Sequence, residues 1–198
     1  MDSLLVREMF IVVTGNGKGK TTSALGQALR VIGEGGRAVM FQFIKGPWKS
    51  GEDKLISNLK SQISKIKDKK LLEGLENFYE FDIIKGGRGF VGILGDPYPK
   101  QVHVEAAEKT WSEAKSAIES KKYQLVILDE LNVALKLGLV KIGPVFSFLK
   151  KHKGIVNIMA TGRDAQPRLV ELADLVSEIK DIKHPFSKGV GARRGVEY

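Results

Sequence analysis

Six short apolar runs separated by helical patterns constrain this chain more than any other feature. "MFIVV" (9–13), "AVMFQF" (38–43), "FYEFDII" (78–84), "LVILD" (125–129), "IVNIMA" (155–160) and "LVSEI" (175–179) read as strands. Several are apolar throughout, as expected of strands in a parallel sheet whose two faces are both covered. Between the first two lies "KTTSALGQALRVIG", in which Ala24, Leu25, Ala28, Leu29 and Ile32 recur at helical spacing before a glycine-rich stop at "GEGG". Residues 52–75 carry a mixed amphipathic helical region, and "KQVHVEAAEKTWSEAKSAIESKK" a longer helix. The alternation predicts an α/β fold, a mainly parallel sheet covered by helices on both faces, with right-handed crossovers. The 198 residues suit one such domain spanning 1–198.

The first strand runs into "TGNGKGKTT" (14–22). The general phosphate-loop pattern, G-x-x-x-x-G-K-[ST], is met at Gly19, Lys20 and Thr21, but Thr14 stands where its opening glycine belongs. The context is the required one, a strand before and a helix after. Gly15, Gly17 and Gly19 allow successive N–H groups to converge on phosphate oxygens, with Asn16, Lys18 and Thr22 completing the loop. The helix N-terminus adds partial positive charge. Lys20 brings a full charge to the phosphates, and the Thr21 hydroxyl is a candidate Mg²⁺ ligand.

"LVILDEL" supplies a companion, placing Asp129 and Glu130 at a strand end where a carboxylate can hold Mg²⁺ directly or through water. The bland alternative is a helix-capping carboxylate. "ATGR" (160–163) ends the next run and brings Thr161 and Arg163 towards the same phosphates, or forms a simple turn. The irregular stretch "KGGRGFVGILGDPYPK" (85–100) and the tail from "KHPFSKGVGARRGVEY" are long enough to reach over the strand ends, where open sheets bind ligands.

Composition removes other chemistries. There is no cysteine, hence no disulfide, thiolate nucleophile or thiolate zinc site, and His103, His152 and His184 lack metal-ligand spacing. The first residues lack an apolar signal core and no apolar run is long enough to span a membrane, so a cytoplasmic protein without membrane contact is expected. The formal charge of +9 suggests an anionic partner. Its excess falls mainly on solvated helix faces and ends, without the interleaved aromatics of a single-strand platform, so no nucleic-acid partner is expected.

With these pieces placed, the chain resembles the P-loop ATP:corrinoid adenosyltransferases. The likeness rests on "TGNGKGKTTSALGQALR" with its threonine-opened loop, "FQFIKG" (41–46), "LVILDEL" (125–131), "TGR" (161–163) and "VSEIKDIKHPFSKGVGARRGVEY" (176–198). The resemblance implies a RecA-like fold, usually a homodimer, that moves the 5′-deoxyadenosyl group of ATP onto the Co(I) of a reduced corrinoid and releases triphosphate. It also implies Mg²⁺ with the ATP, a flavoprotein electron donor, and ATP held reversed in its loop so that the 5′ carbon lies open to attack. In that scheme Lys20 stabilises the leaving triphosphate, and an apolar loop displaces the corrinoid's lower axial ligand. Some family members carry a "GFTW"-like segment there. Here "GRGFVGILGD" retains Phe90 but has Val91-Gly92 where the tryptophan is expected, leaving Phe90, Val91 and Ile93 as the platform. The alternative for Phe90 is a plug in the core.

Two other functions fit parts of the pattern. A small P-loop kinase or ATPase would use Arg193 and Arg194 as a lid over the γ-phosphate and release ADP. A RecA-like nucleic-acid-binding module would show affinity that falls steeply with salt.

Overall fold

The computed structural model describes residues 7–68, 70, 72, 81–93 and 95–196. In chain order the described elements are β1 (Phe10–Thr14), α1 (Lys20–Gly33), β2 (Ala38–Gln42), α2 (Gly51–Ile63), β3 (Phe81–Lys85), α3 (Lys100–Ser120) and β4 (Leu125–Asp129). They continue with α4 (Leu131–Lys136), α5 (Ile142–His152), β5 (Asn157–Thr161), α6 (Pro167–Leu172), β6 (Leu175–Glu178) and a 3₁₀ turn at Pro185–Lys188. The strands form one sheet in the order β3-β2-β4-β5-β1-β6. Every pairing is parallel. The α/β expectation of a parallel sheet therefore holds, with β5 lying between the strand that feeds the glycine loop and the strand that ends in Asp129.

Strand periodicity divides the core into two layers. Phe10 and Val12 of β1 point into a cluster with Ala107, Trp111, Ala114 and Ile118 of α3, Leu131 of α4, Val145 and Leu149 of α5 and Leu169 of α6. Ile11 and Val13 point the other way, to Ala24, Ala28 and Ile32 of α1. Small residues at i and i+4 let α1 approach the sheet closely, and Leu29, expected in that stripe, faces outward at 54% exposure. Central residues such as Val126 and Leu128 are wholly enclosed. A Leu→Ala change in such a site costs about 2–5 kcal/mol.

Three expectations are met only in part among the described residues. The strand expected at 78–84 is observed from Phe81 to Lys85, residues 78–80 lying outside the described ones. The helical region expected over 52–75 is a helix only to Ile63 within its continuous described part. Its start is fixed by Asp53, whose carboxylate accepts from Ser50 N at 2.7 Å and Ser50 Oγ at 2.6 Å. The covering of both sheet faces stops short of β6, an edge strand exposed at all four positions.

Candidate functional site

The carboxyl ends of β1, β2, β4 and β5 meet at one edge of the sheet, since Gln42 lies opposite Asp129 in register and Val13 opposite Thr161. The glycine loop leaves β1 there. Gly15 has φ +99°, and a Cβ on it would lie 2.4 Å from the carbonyl of Ile179. A Cβ on Gly17 would come within 2.5 Å of the Lys180 carbonyl. Ile179 N donates to Thr14 O at 2.8 Å and Gly17 N to Ile179 O at 2.7 Å. The chain leaving β6 thus lies directly on the loop, a second reason for glycine that loop chemistry alone does not reveal.

Gly19, at φ +117°, caps α1 without a side-chain bond, and the first turn of α1 has no acidic residue. Its amides suit an anion. Lys20 is buried, and its Nζ donates to Gly17 O at 2.7 Å. Burial lowers its affinity for a proton, Glu130 opposes this, the Arg163 charge adds to the lowering, and Asp129 opposes it again. Arg163 is thereby brought to the same site, its own side chain exposed, while Asn16, Lys18 and Thr22 lie at the exposed rim.

Asp129 is fully enclosed. Its Oδ1 accepts from Thr21 Oγ1 at 2.9 Å and from Thr161 Oγ1 at 2.7 Å. Its Oδ2 accepts from Gln42 Nε2 at 3.0 Å, with Lys45 Nζ at 3.8 Å. Thr161 is itself buried and also accepts from Glu130 N at 3.0 Å, so it orients the carboxylate pair. Glu130 adopts a left-handed conformation at φ 62°. Burial, then the Asp129 charge, raises its pKa above the usual carboxylate range against the pull of Lys20, Lys45 and Arg163. Among the described residues no group of three or more His, Cys, Asp or Glu could hold a metal ion. Mg²⁺ takes one or two protein ligands and completes its shell with water and phosphate oxygens. The Asp129 carboxylate accepts from three side-chain donors, which makes Glu130 and the Thr21 hydroxyl the candidates to hold such an ion.

Gln42 and Lys45 escaped the sequence reading as site residues. One signal was available, a glutamine inside the apolar run "AVMFQF" at the strand end that faces the site.

Gln42 also roots the glycine-rich stretch after β3. Its carbonyl accepts from Gly86 N at 3.0 Å and Gly87 N at 3.2 Å, and Gly89 N donates to Ile44 O at 2.9 Å. Beyond these anchors Phe90 is 55% and Ile93 58% exposed. Val91 instead packs against the main core cluster. Phe90 is therefore not a core plug, and of the expected platform Phe90 and Ile93 face outward while Val91 holds the loop down. Trp48, 62% exposed, lays its ring against Gly89 from the neighbouring loop.

The family model described as "ATP:corrinoid adenosyltransferase BtuR/CobO/CobP" matches residues 6–198. Among curated proteins, a corrinoid adenosyltransferase from Sinorhizobium sp is 36% identical over 191 residues, covering 96% of this chain and 80% of that protein. One from Pseudomonas aeruginosa is 32% identical and covers 97% of this chain and 84% of its own length. Corrinoid adenosyltransferase CobA of Salmonella typhimurium is 32% identical, covering 97% of this chain and 86% of that protein.

Proposed function

This chain belongs to the ATP:corrinoid adenosyltransferase family, and on that premise we propose how its own residues carry the transfer. It is an enzyme that moves the adenosyl group of ATP to a corrinoid. In our reading residues 1–198 work as one cytoplasmic domain, assembled as a homodimer and served by a flavoprotein electron donor. The Co(I) of the reduced corrinoid attacks the 5′ carbon of ATP. Its electron pair becomes the cobalt–carbon bond, and the C5′–O bond breaks towards the leaving triphosphate. The nucleophile belongs to the substrate, so a chain without cysteine supplies positioning and charge rather than a nucleophilic side chain.

Gly15, Asn16, Gly17, Lys18, Gly19 and Thr22 wrap the triphosphate, and Lys20 with Arg163 balances the charge that develops on it. Thr21 and Glu130 hold Mg²⁺, with Asp129 aligning Thr21 from behind. The ion, when bound, neutralises phosphate charge. The observation supporting this division is the Thr21–Asp129 bond of 2.9 Å, which joins the loop to the carboxylate strand. Phe90 and Ile93 form the apolar surface that excludes the lower axial ligand. The deciding experiment supplies ATP, Mg²⁺ and a chemically reduced corrinoid. A photolabile cobalt–carbon product with stoichiometric triphosphate is expected, whereas ADP with no alkylated corrinoid would indicate kinase or ATPase chemistry.

A further inference from the structure

The segment after Phe90 is fastened by a pair of side chains that neither phosphate binding nor metal binding uses. His103, in the first turn of α3, is buried, and its Nε2 lies 2.9 Å from Asp96 Oδ2 and 3.1 Å from Oδ1. The side chains of the two residues are 2% and 6% exposed. The Asp96 carboxylate also accepts from Gly92 N at 2.8 Å and from Tyr98 N at 3.0 Å. Tyr98 sets its ring edge-on to His103, with centroids 6.0 Å apart. One carboxylate therefore gathers both sides of the turn that follows Phe90 and ties them to a helix of the core. Gly92 at φ +69° and Gly95 at φ +72°, each with open space where a Cβ would be, make that turn intrinsically pliable. The other end is held by the backbone bonds from Gly86 and Gly87 to Gln42 and from Gly89 to Ile44.

We propose that Asp96 and His103 are positioning residues for corrinoid alkylation, clamping the 90–93 segment so that Phe90 and Ile93 stay presented to the macrocycle. An exposed apolar pair on a glycine-rich turn would otherwise collapse onto the surface or sample many orientations, and ordering it on binding would weaken the corrinoid interaction. The contacts of the clamp are to Gly92, Tyr98 and each other rather than to the glycine loop or the carboxylate pair, so its loss should be felt mainly on one substrate. This inference rests on the corrinoid-facing role assigned to Phe90.

The test compares Asp96→Asn, His103→Gln and the double variant with the unmodified enzyme. Asp96→Asn is expected to raise the KM for a corrinoid carrying a lower base about tenfold, leaving the KM for ATP within about twofold. The double variant should be no worse than Asp96→Asn, since both act through one contact. Trypsin gives a readout independent of catalysis. Arg88 is exposed at the head of the segment, and its cleavage should accelerate several-fold in each variant. Equal losses towards ATP and corrinoid with a lowered melting temperature, or unchanged cleavage at Arg88, would overturn the clamp. If the unmodified enzyme alkylates no corrinoid, the functional reading fails instead, and Arg88 cleavage still reports whether the pair holds the turn.

Discussion

Thr161 donates to Asp129 Oδ1 across 2.7 Å, sharing that oxygen with Thr21 from the far side of the crevice. Asp129 is thus the internal joint of the site and Glu130 its open face. Asp129→Ala strands two hydroxyls and the Gln42 amide, and each buried group left without a partner costs about 1–3 kcal/mol. Its denaturation midpoint should fall clearly. Glu130→Gln should keep its midpoint and require more Mg²⁺ for half-maximal transfer. Equal stability loss in both variants would refute this division.

Lys20 carries a buried charge directed at the glycine loop. Lys20→Ala should reduce kcat by an amount worth about 2–4 kcal/mol, the usual range for one preorganised group stabilising developing charge. Steady-state triphosphate release measures it, and full turnover would remove Lys20 from the mechanism.

Phe90→Ala separates surface from core. Truncating a core phenylalanine costs about 3–5 kcal/mol. A side chain 55% exposed should cost far less, so melting temperature and ATP affinity should hold. Adenosylation should slow most for corrinoids with an intramolecular lower base and least for incomplete corrinoids lacking one. A uniform loss across both types would show that Phe90 does not act on the lower ligand.

Much of this arrangement was legible because its determinants are local. Residues 10–14 and the Ala24, Ala28, Ile32 stripe each encode a strand or helix within a few positions, and the "LVILDEL" stretch announces a carboxylate at a strand end. What stayed hidden is long-range. No local pattern says that Ile179 and Lys180 lie against Gly15 and Gly17, that Gln42 reaches Asp129, or that His103 pairs with Asp96 rather than facing solvent. The apolar letters of "LVSEI" encode a strand but not its place at the sheet edge, where Leu175 and Val176 are left exposed.

Asp174 makes acid stability a test of how β6 is docked. Its carboxylate accepts from Phe10 N at 2.9 Å and Arg7 at 3.0 Å and pairs with Lys153 at 2.7 Å. Partial desolvation pushes its pKa up, but the bonds from Lys153, Phe10 and Arg7 together hold it below the ordinary aspartate value. A depressed folded-state pKa stabilises above the unfolded value, and this contribution is lost as pH falls through the folded one. Asp174→Asn should therefore be less stable than the unmodified protein at neutral pH. The difference should shrink below about pH 4, where the unfolded-state carboxyl protonates. Denaturant midpoints at several pH values check it, and a gap that widens in acid would contradict the assignment.

Glu130 sits at φ 62° and ψ 22°, a left-handed conformation that an L-residue with a Cβ occupies at a cost of about 1–2 kcal/mol. Its position explains why the strain is kept. The same backbone turn aims its carboxylate into the crevice and starts α4, while Thr161 receives its N–H. Glycine and alanine at this position both delete the carboxylate, but only glycine relieves the backbone, and an N-cap tolerates glycine better than alanine. Glu130→Gly should therefore be more stable than Glu130→Ala by about 1 kcal/mol, with both variants equally impaired in transfer. Thermal melts of the pair in the absence of Mg²⁺ isolate the backbone contribution. Equal melting temperatures would mean that the turn is not strained, and unequal activities would mean that Glu130 acts through loop geometry rather than through its charge.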